Sequence, residues 1–256
     1  MRRRTFLASA TAAGLAALAG CSTASAEVPP PELPTERLDE QGYELIDQEQ
    51  ETVFEESLAG MTLTASAHTV VYEDVPLTED VTERTLGIVE GPLTTFFATR
   101  VGFSPALDDL PGGIGRSQIL DLVEENAVES FRQQLASYGV EDVTEVTEEV
   151  MVTDSGIDAD RTEFEGVVPF DGVEFPVTQD RTVEIEADDV SVQGWLAVWF
   201  DDGDTLVAGG VHPGETFEES VSESLSSGID VSIEIDMGLE PDLYREEIHS
   251  FMNAVR

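Results

Sequence analysis

Residues 194–200 read GWLAVWF, seven positions without a charge in a chain of which 26% is charged. Trp195, Ala197 and Trp199 share one parity; Leu196, Val198 and Phe200 share the other. Successive side chains of a strand point to opposite faces. A strand with one wet face alternates apolar and polar, whereas one covered on both faces is apolar throughout. GWLAVWF therefore predicts a central strand with a packed layer on either side, as in a helix–sheet–helix sandwich.

Working outward, residues 193–200 and 205–212 pair around the turn Asp201-Asp202-Gly203-Asp204. Upstream, 43–54, 61–73, 94–103, 143–153 and 161–170 read as strands by their alternation. Asp171-Gly172 sits between apolar flanks, a strong short hairpin signal, and Val173, Phe175, Val183 and Ile185 keep one parity beyond it. Ile119, Val123, Phe131 and Leu135 recur at helical spacing. Gly139 is placed to end that helix in a left-handed residue, with Val140 supplying the apolar contact that accompanies it. Thr216-Phe217-Glu218-Glu219 reads as a capping box. With Phe217, Val221 and Leu225 at i, i+4 and i+8, it predicts a helix ending at Gly228. Residues 229–235 read as a strand. Pro241 opens a last helix with Tyr244, Ile248, Phe251 and Val255 as its buried stripe. The sum is about eight strands and three helices, mostly hairpin-connected. The expected class is α+β: a mainly antiparallel sheet of about six to eight strands with helices packed on its faces. One domain is expected over residues 41–256.

The N-terminus is organised differently. Arg2 to Arg4 form a positive patch, and an apolar stretch follows from Phe6 to Ala19. A membrane-spanning helix needs about 20 apolar residues, so this shorter stretch of small residues reads as a signal peptide over residues 1–20. Arg3-Arg4-Thr5-Phe6-Leu7 resembles the twin-arginine export signal, with Arg2 and Ala8 departing from its usual flanks. Leu18-Ala19-Gly20-Cys21 resembles a lipobox. That resemblance implies that Cys21, the single cysteine, carries a lipid thioether and becomes the first mature residue, which makes the protein anchored rather than spanning. Residues 21–40 are then the lipidated Cys and a spacer whose Pro29-Pro30-Pro31 run favours an extended chain.

The chain carries 54 acidic and 12 basic residues, a net charge of −42. Every basic residue is Arg, and loss of residues 1–20 would leave nine of them. Such repulsion destabilises a compact state unless salt screens it, and at molar salt the Debye length falls to about 3 Å. The composition points to a high-salt cell, most simply a haloarchaeon. It also argues against nucleic acid, which needs clustered Lys and Arg. A 41% hydrophobic fraction is enough for a core. With Cys21 lipidated, no thiol is left for a disulfide or a thiolate metal site.

GWLAVWFDDGDTLVAGGVHP (194–213), HTVVYED (68–74) and the lipobox together resemble a family of haloarchaeal twin-arginine-exported lipoproteins of unknown function, over most of the chain. The resemblance implies a habitat and an address, with no activity. The order of elements also resembles the PsbP and Mog1-like α+β sandwiches, a likeness of fold that does not carry function.

Few residues suggest chemistry. His68 lies on the polar parity of a strand, His212 precedes a Pro213-Gly214 turn, and His249 is off the apolar stripe of the last helix. All three read as scattered surface histidines. DSGIDAD (154–160) and DDGD (201–204) are acidic but lack the spacing of a calcium loop. PGGIGR (111–116) leads into a helix without matching a phosphate-binding pattern. Arg100, in an apolar strand, suggests a structural ion pair. Trp195 and Trp199, roughly 13 Å apart at strand rise, and His212 are the candidate ligand contacts, although aromatics at such positions are more often core. No GxSxG, HExxH or haem-attachment motif occurs, and no cofactor or metal is expected. The expected protein is a non-catalytic, extracytoplasmic, membrane-anchored lipoprotein that binds a small ligand or an envelope protein. The alternative is a metal-dependent hydrolase using carboxylates and histidine.

Overall fold

The computed structural model describes residues 28–58, 61–85, 87, 89, 91–107, 116–170, 173–178, 181–185, 189–226 and 229–256. Arg3, Arg4 and Cys21, the Asp171-Gly172 pair and most of PGGIGR lie outside the described residues. The elements run α1 (Thr35–Glu40), β1 (Tyr43–Leu58), β2 (Met61–Asp74), α2 (Val75–Arg84), β3 (Thr95–Ser104), α3 (Arg116–Ser137), β4 (Glu141–Val152), β5 (Asp158–Val168), β6 (Val173–Thr178), β7 (Arg181–Ile185), β8 (Val190–Asp201), β9 (Asp204–Pro213), β10 (Glu218–Ser226), β11 (Ile229–Asp236) and α4 (Pro241–Ala254). Seven strands form one sheet in the order β1-β2-β3-β9-β8-β5-β4, antiparallel at every neighbour. The chain is α+β, as its pattern predicts.

GWLAVWF lies in β8, between β9 and β5. On one face Trp195, Ala197 and Trp199 pack with Phe96, Ile248 and Phe251, so α4 covers them. On the other, Leu196 and Val198 pack with Val123, Phe131 and Leu135 of α3. The two parities of one strand thus belong to two cores, the arrangement its apolar run requires. Fully burying a large apolar side chain contributes about 1.5–3 kcal/mol, and Trp199, Phe251 and Phe96 are each no more than 1% exposed.

Gly209 and Gly210 of β9 set how closely these layers approach. Phe97 of β3 is the cross-strand partner of Gly209, and a Cβ there would collide with the Trp195 carbonyl oxygen and lie 2.7 Å from the Phe97 ring. A Cβ at Gly210 would lie 2.6 Å from the Thr95 oxygen and 3.0 Å from Ile248 of α4.

Local signals account for the ends of several elements. Asp202 (φ 45°) and Gly203 (φ 99°) form the left-handed turn between β8 and β9, the geometry that matches strand twist. At the end of α3, Gly139 has φ 85°. Its N–H donates to Ala136 O, and that of Val140 to Leu135 O, each at 3.1 Å. This is the bond pattern of a Schellman cap, and Val140 and Leu135 are both buried. α4 starts at Pro241 and buries Tyr244, Ile248, Phe251 and Met252.

Two expected elements are corrected, and one helix is additional. Within the span 216–228 expected as a helix, Glu218–Ser226 is strand β10, paired with β11 from Glu218↔Asp236 to Ser226↔Ile229. Apolar residues four apart satisfy a period of two as well as a helical one, and the partner strand decides between them. The strands on either side of the Asp171-Gly172 pair do not pair with each other: β5 belongs to the large sheet, whereas β6 pairs with β7. α2 was not expected at all. Asp74 caps it, accepting from Leu77 N at 3.0 Å, with Pro76 in the first turn.

Residues 28–40, read as spacer from composition, pack onto the domain. Val28 is 5% exposed and Leu38 is fully buried. Glu32 and Arg256 exchange backbone hydrogen bonds at 2.7 and 3.0 Å, tying the start of the described chain to its end. Arg100 donates to the Arg256 main-chain oxygen at 2.9 Å, and its charge acts on the Asp204 carboxylate.

Candidate functional site

The structure brings Trp195, His212 and His249 together. The Trp195 indole Nε1 donates to His212 Nε2 at 3.3 Å. Indole N–H is only a donor, so the His212 proton sits on Nδ1, which donates to the Pro213 carbonyl at 2.7 Å. Burial holds the His212 pKa down, to about 4. His212 is fully buried within β9, which corrects the reading of three surface histidines. Its Pro-Gly sequel suggested a turn, but the strand runs on through Pro213. The His249 ring meets Trp195 edge-on at 4.4 Å, and the Arg161 guanidinium lies 5.2 Å over the same indole. Burial, with Arg161 and Arg245 adding to it, lowers the His249 pKa to about 4 as well. His68 accepts from Gln48 Nε2 at 2.7 Å and donates through Nδ1 to the Val28 carbonyl at 2.8 Å.

Both ring nitrogens of His212 are engaged, which leaves none to ligate a metal, whereas His249 Nε2 is buried with no hydrogen-bond partner among the described residues. Among the described residues, no group of three or more His, Cys, Asp or Glu side chains is placed to hold a metal ion. Trp195 and Trp199, 5% and 1% exposed, are core beneath α4.

A second cluster joins α4 to β1 and α2. Burial, then Asp74 and Glu240, pushes the Glu247 carboxyl up to about 7. Burial, opposed by the Leu77 N–H, also raises Asp74. Both carboxylates act on the Tyr43 hydroxyl, whose pKa is raised chiefly by burial. That hydroxyl is buried with no hydrogen-bond partner among the described residues. Tyr43 packs edge-on against Phe251 at 4.9 Å, which fixes it as a core ring.

The opposite face of the sheet carries an open feature. α3 packs over β8, β9 and β4. Beside it, the same face of β1, β2 and β3 forms the floor and far wall of a cleft of about 470 Å³, within the ~300–1,000 Å³ usual for ligand pockets. Phe97, Val101, Leu196 and Val207 supply an apolar floor. Thr69 and Thr99 sit in the middle of it, their hydroxyls 2.9 Å apart. Asn126, Ser130 and Gln134 line the α3 side, and Asp47, Glu49 and Glu51 the β1 side. The other flank of α3 faces a broad trough with Asp121, Glu124, Glu129 and Glu148.

None of the candidate ligand contacts lines this cleft; Leu196, the neighbour of Trp195 on the opposite parity, does. Sequence reading passed over the cleft residues. The one available signal was the uncharged polar line Asn126, Ser130 and Gln134 at i, i+4 and i+8 of a helix otherwise rich in acids.

The fold is an α+β domain with an open cleft of mixed polar and apolar lining on one sheet face. The chain belongs to the family described as Domain of unknown function (DUF6517), which matches residues 30–256. That span takes in residues 30–40, in keeping with their packing on the sheet. No curated protein and no solved structure matches the chain.

Proposed function

We propose that this protein is an extracytoplasmic, non-catalytic binding module of a haloarchaeal envelope, anchored through lipid on Cys21, and that its ligand lies in the cleft between α3 and β1–β3. The cleft carries the binding reading: it combines an apolar floor, an α3 wall of uncharged hydrogen-bonding groups and a β1 wall of carboxylates. The twin-arginine-like Arg3-Arg4 and the lipobox around Cys21 support the address. The acidic, lysine-free composition supports the high-salt setting and leaves no basic patch for nucleic acid.

Both parts have a test. Ala127 lies on the α3 wall of the cleft, so Ala127→Trp fills it from a helix surface. In a thermal-shift screen of metals, nucleotides, sugars and amines in molar KCl, a compound that raises the wild-type midpoint should leave that of A127W unmoved. Equal shifts in both, or no wild-type shift with any compound, would count against cleft binding. For the anchor, Cys21→Ser should move the protein from the membrane fraction to the medium; unchanged membrane retention would contradict lipidation.

A further inference from the structure

We infer that the cleft takes an amphipathic ammonium compound, with a slender apolar body over β2 and β3 and a cationic end against β1. This rests on the reading of the cleft as a binding site.

The distribution of charge around the cleft carries the inference. In an acid-rich chain, carboxylates on any one surface mean little. Here they are sorted. Along β1, Asp47, Glu49 and Glu51 face the cleft, while Gln48 and Gln50, alternating with them in unbroken register, face the other way, where Gln48 bonds His68. Over residues 47–51 the strand places neutral amides on its back and carboxylates on its cleft side. α3 shows the reverse choice. Its cleft line, Asn126, Ser130 and Gln134, is uncharged, and its acids Asp121, Glu124 and Glu129 lie toward the far trough. The cleft therefore has one anionic wall and one neutral wall, with an apolar floor between.

Each part selects. The floor calls for an apolar body. An anionic ligand would meet three carboxylates, and no Arg lines the cleft among the described residues. Along the neutral wall, Asn126 uses its Nδ2 on the Leu122 carbonyl at 2.7 Å, which leaves its oxygen to accept. The Thr69–Thr99 pair shares one hydroxyl proton between two oxygens, so one O–H remains to donate. At molar salt a Debye length of about 3 Å removes long-range attraction, so the carboxylates act on an ammonium in contact.

The test uses the full chain in molar KCl with three probes of one shape: phenylbutylamine, phenylbutanol and phenylbutyrate. Binding is read from NMR signals of Thr69, Thr99 and Ser130, with the Trp195 indole as the remote control. Phenylbutylamine should saturate cleft shifts at a concentration about fivefold below phenylbutanol, the upper range for exposed charge contacts, and phenylbutyrate should bind most weakly. The variant D47N/E49Q/E51Q, whose changes lie on an exposed strand face and preserve size, should bring the amine to the level of the alcohol. Equal affinity for amine and alcohol, tighter binding of the carboxylate, or an amine preference that survives the triple substitution would overturn the inference while leaving cleft binding standing. Shifts confined to residues outside the cleft, or no shift with any probe, would overturn it too; A127W in the compound screen judges cleft binding separately.

Discussion

Gly209→Ala is expected to be among the most damaging single-methyl changes in the chain. Gly209 stands in β9, the middle strand of the sheet. Its missing side chain is the space that the Phe97 ring and the Trp195 carbonyl oxygen occupy. A backbone oxygen cannot swing aside as a flexible side chain would, and Phe97 is held by Phe131, ring to ring at 5.7 Å. Overpacking of this kind costs roughly 1–3 kcal/mol and sometimes more; with backbone as one partner the upper end is expected. Urea unfolding of G209A in molar KCl should show a midpoint far below wild type, or no folded baseline. A loss below about 0.5 kcal/mol, the range of ordinary surface substitutions, would mean that β8, β9 and Phe97 are not packed as described.

Trp199→Ala should cost about 3–5 kcal/mol, as buried aromatic truncations do, and should leave cleft binding unchanged. Trp199 is 1% exposed and packs beneath α4, while the cleft lies on the other face of the same strand. Its Nε1 is buried with no hydrogen-bond partner among the described residues, so Trp199→Phe, which removes that group and keeps most of the area, should recover much of the loss. The pair separates core from ligand contact. A stable W199A that loses cleft binding would restore Trp199 as a ligand residue.

These two residues also mark what was legible in the sequence. GWLAVWF announced a doubly covered strand because a strand's parity is local information. The ends of α3 and α4 were legible because Gly139, Val140 and Pro241 act within one turn. β10 was not, because Phe217, Val221 and Leu225 fit both periods and only their pairing with β11 separates the two. His212 was hidden by the Pro-Gly after it. The cleft was the least legible feature. Its existence depends on α3 covering only part of a seven-stranded face, and no local pattern states how far a helix reaches across a sheet. Once that geometry is known, the neutral line on α3 and the alternating acids and amides of β1 become readable.

One face of the sheet is sealed by α4, and the other is open beside α3. Adding a neutral nitroxide to the protein in molar KCl and recording the NMR spectrum tests both halves at once. The signals of Thr69, Thr99 and Ser130 should broaden strongly, and the indole N–H signals of Trp195 and Trp199 should stay sharp. Sharp threonine and serine signals beside broadened indoles would contradict it.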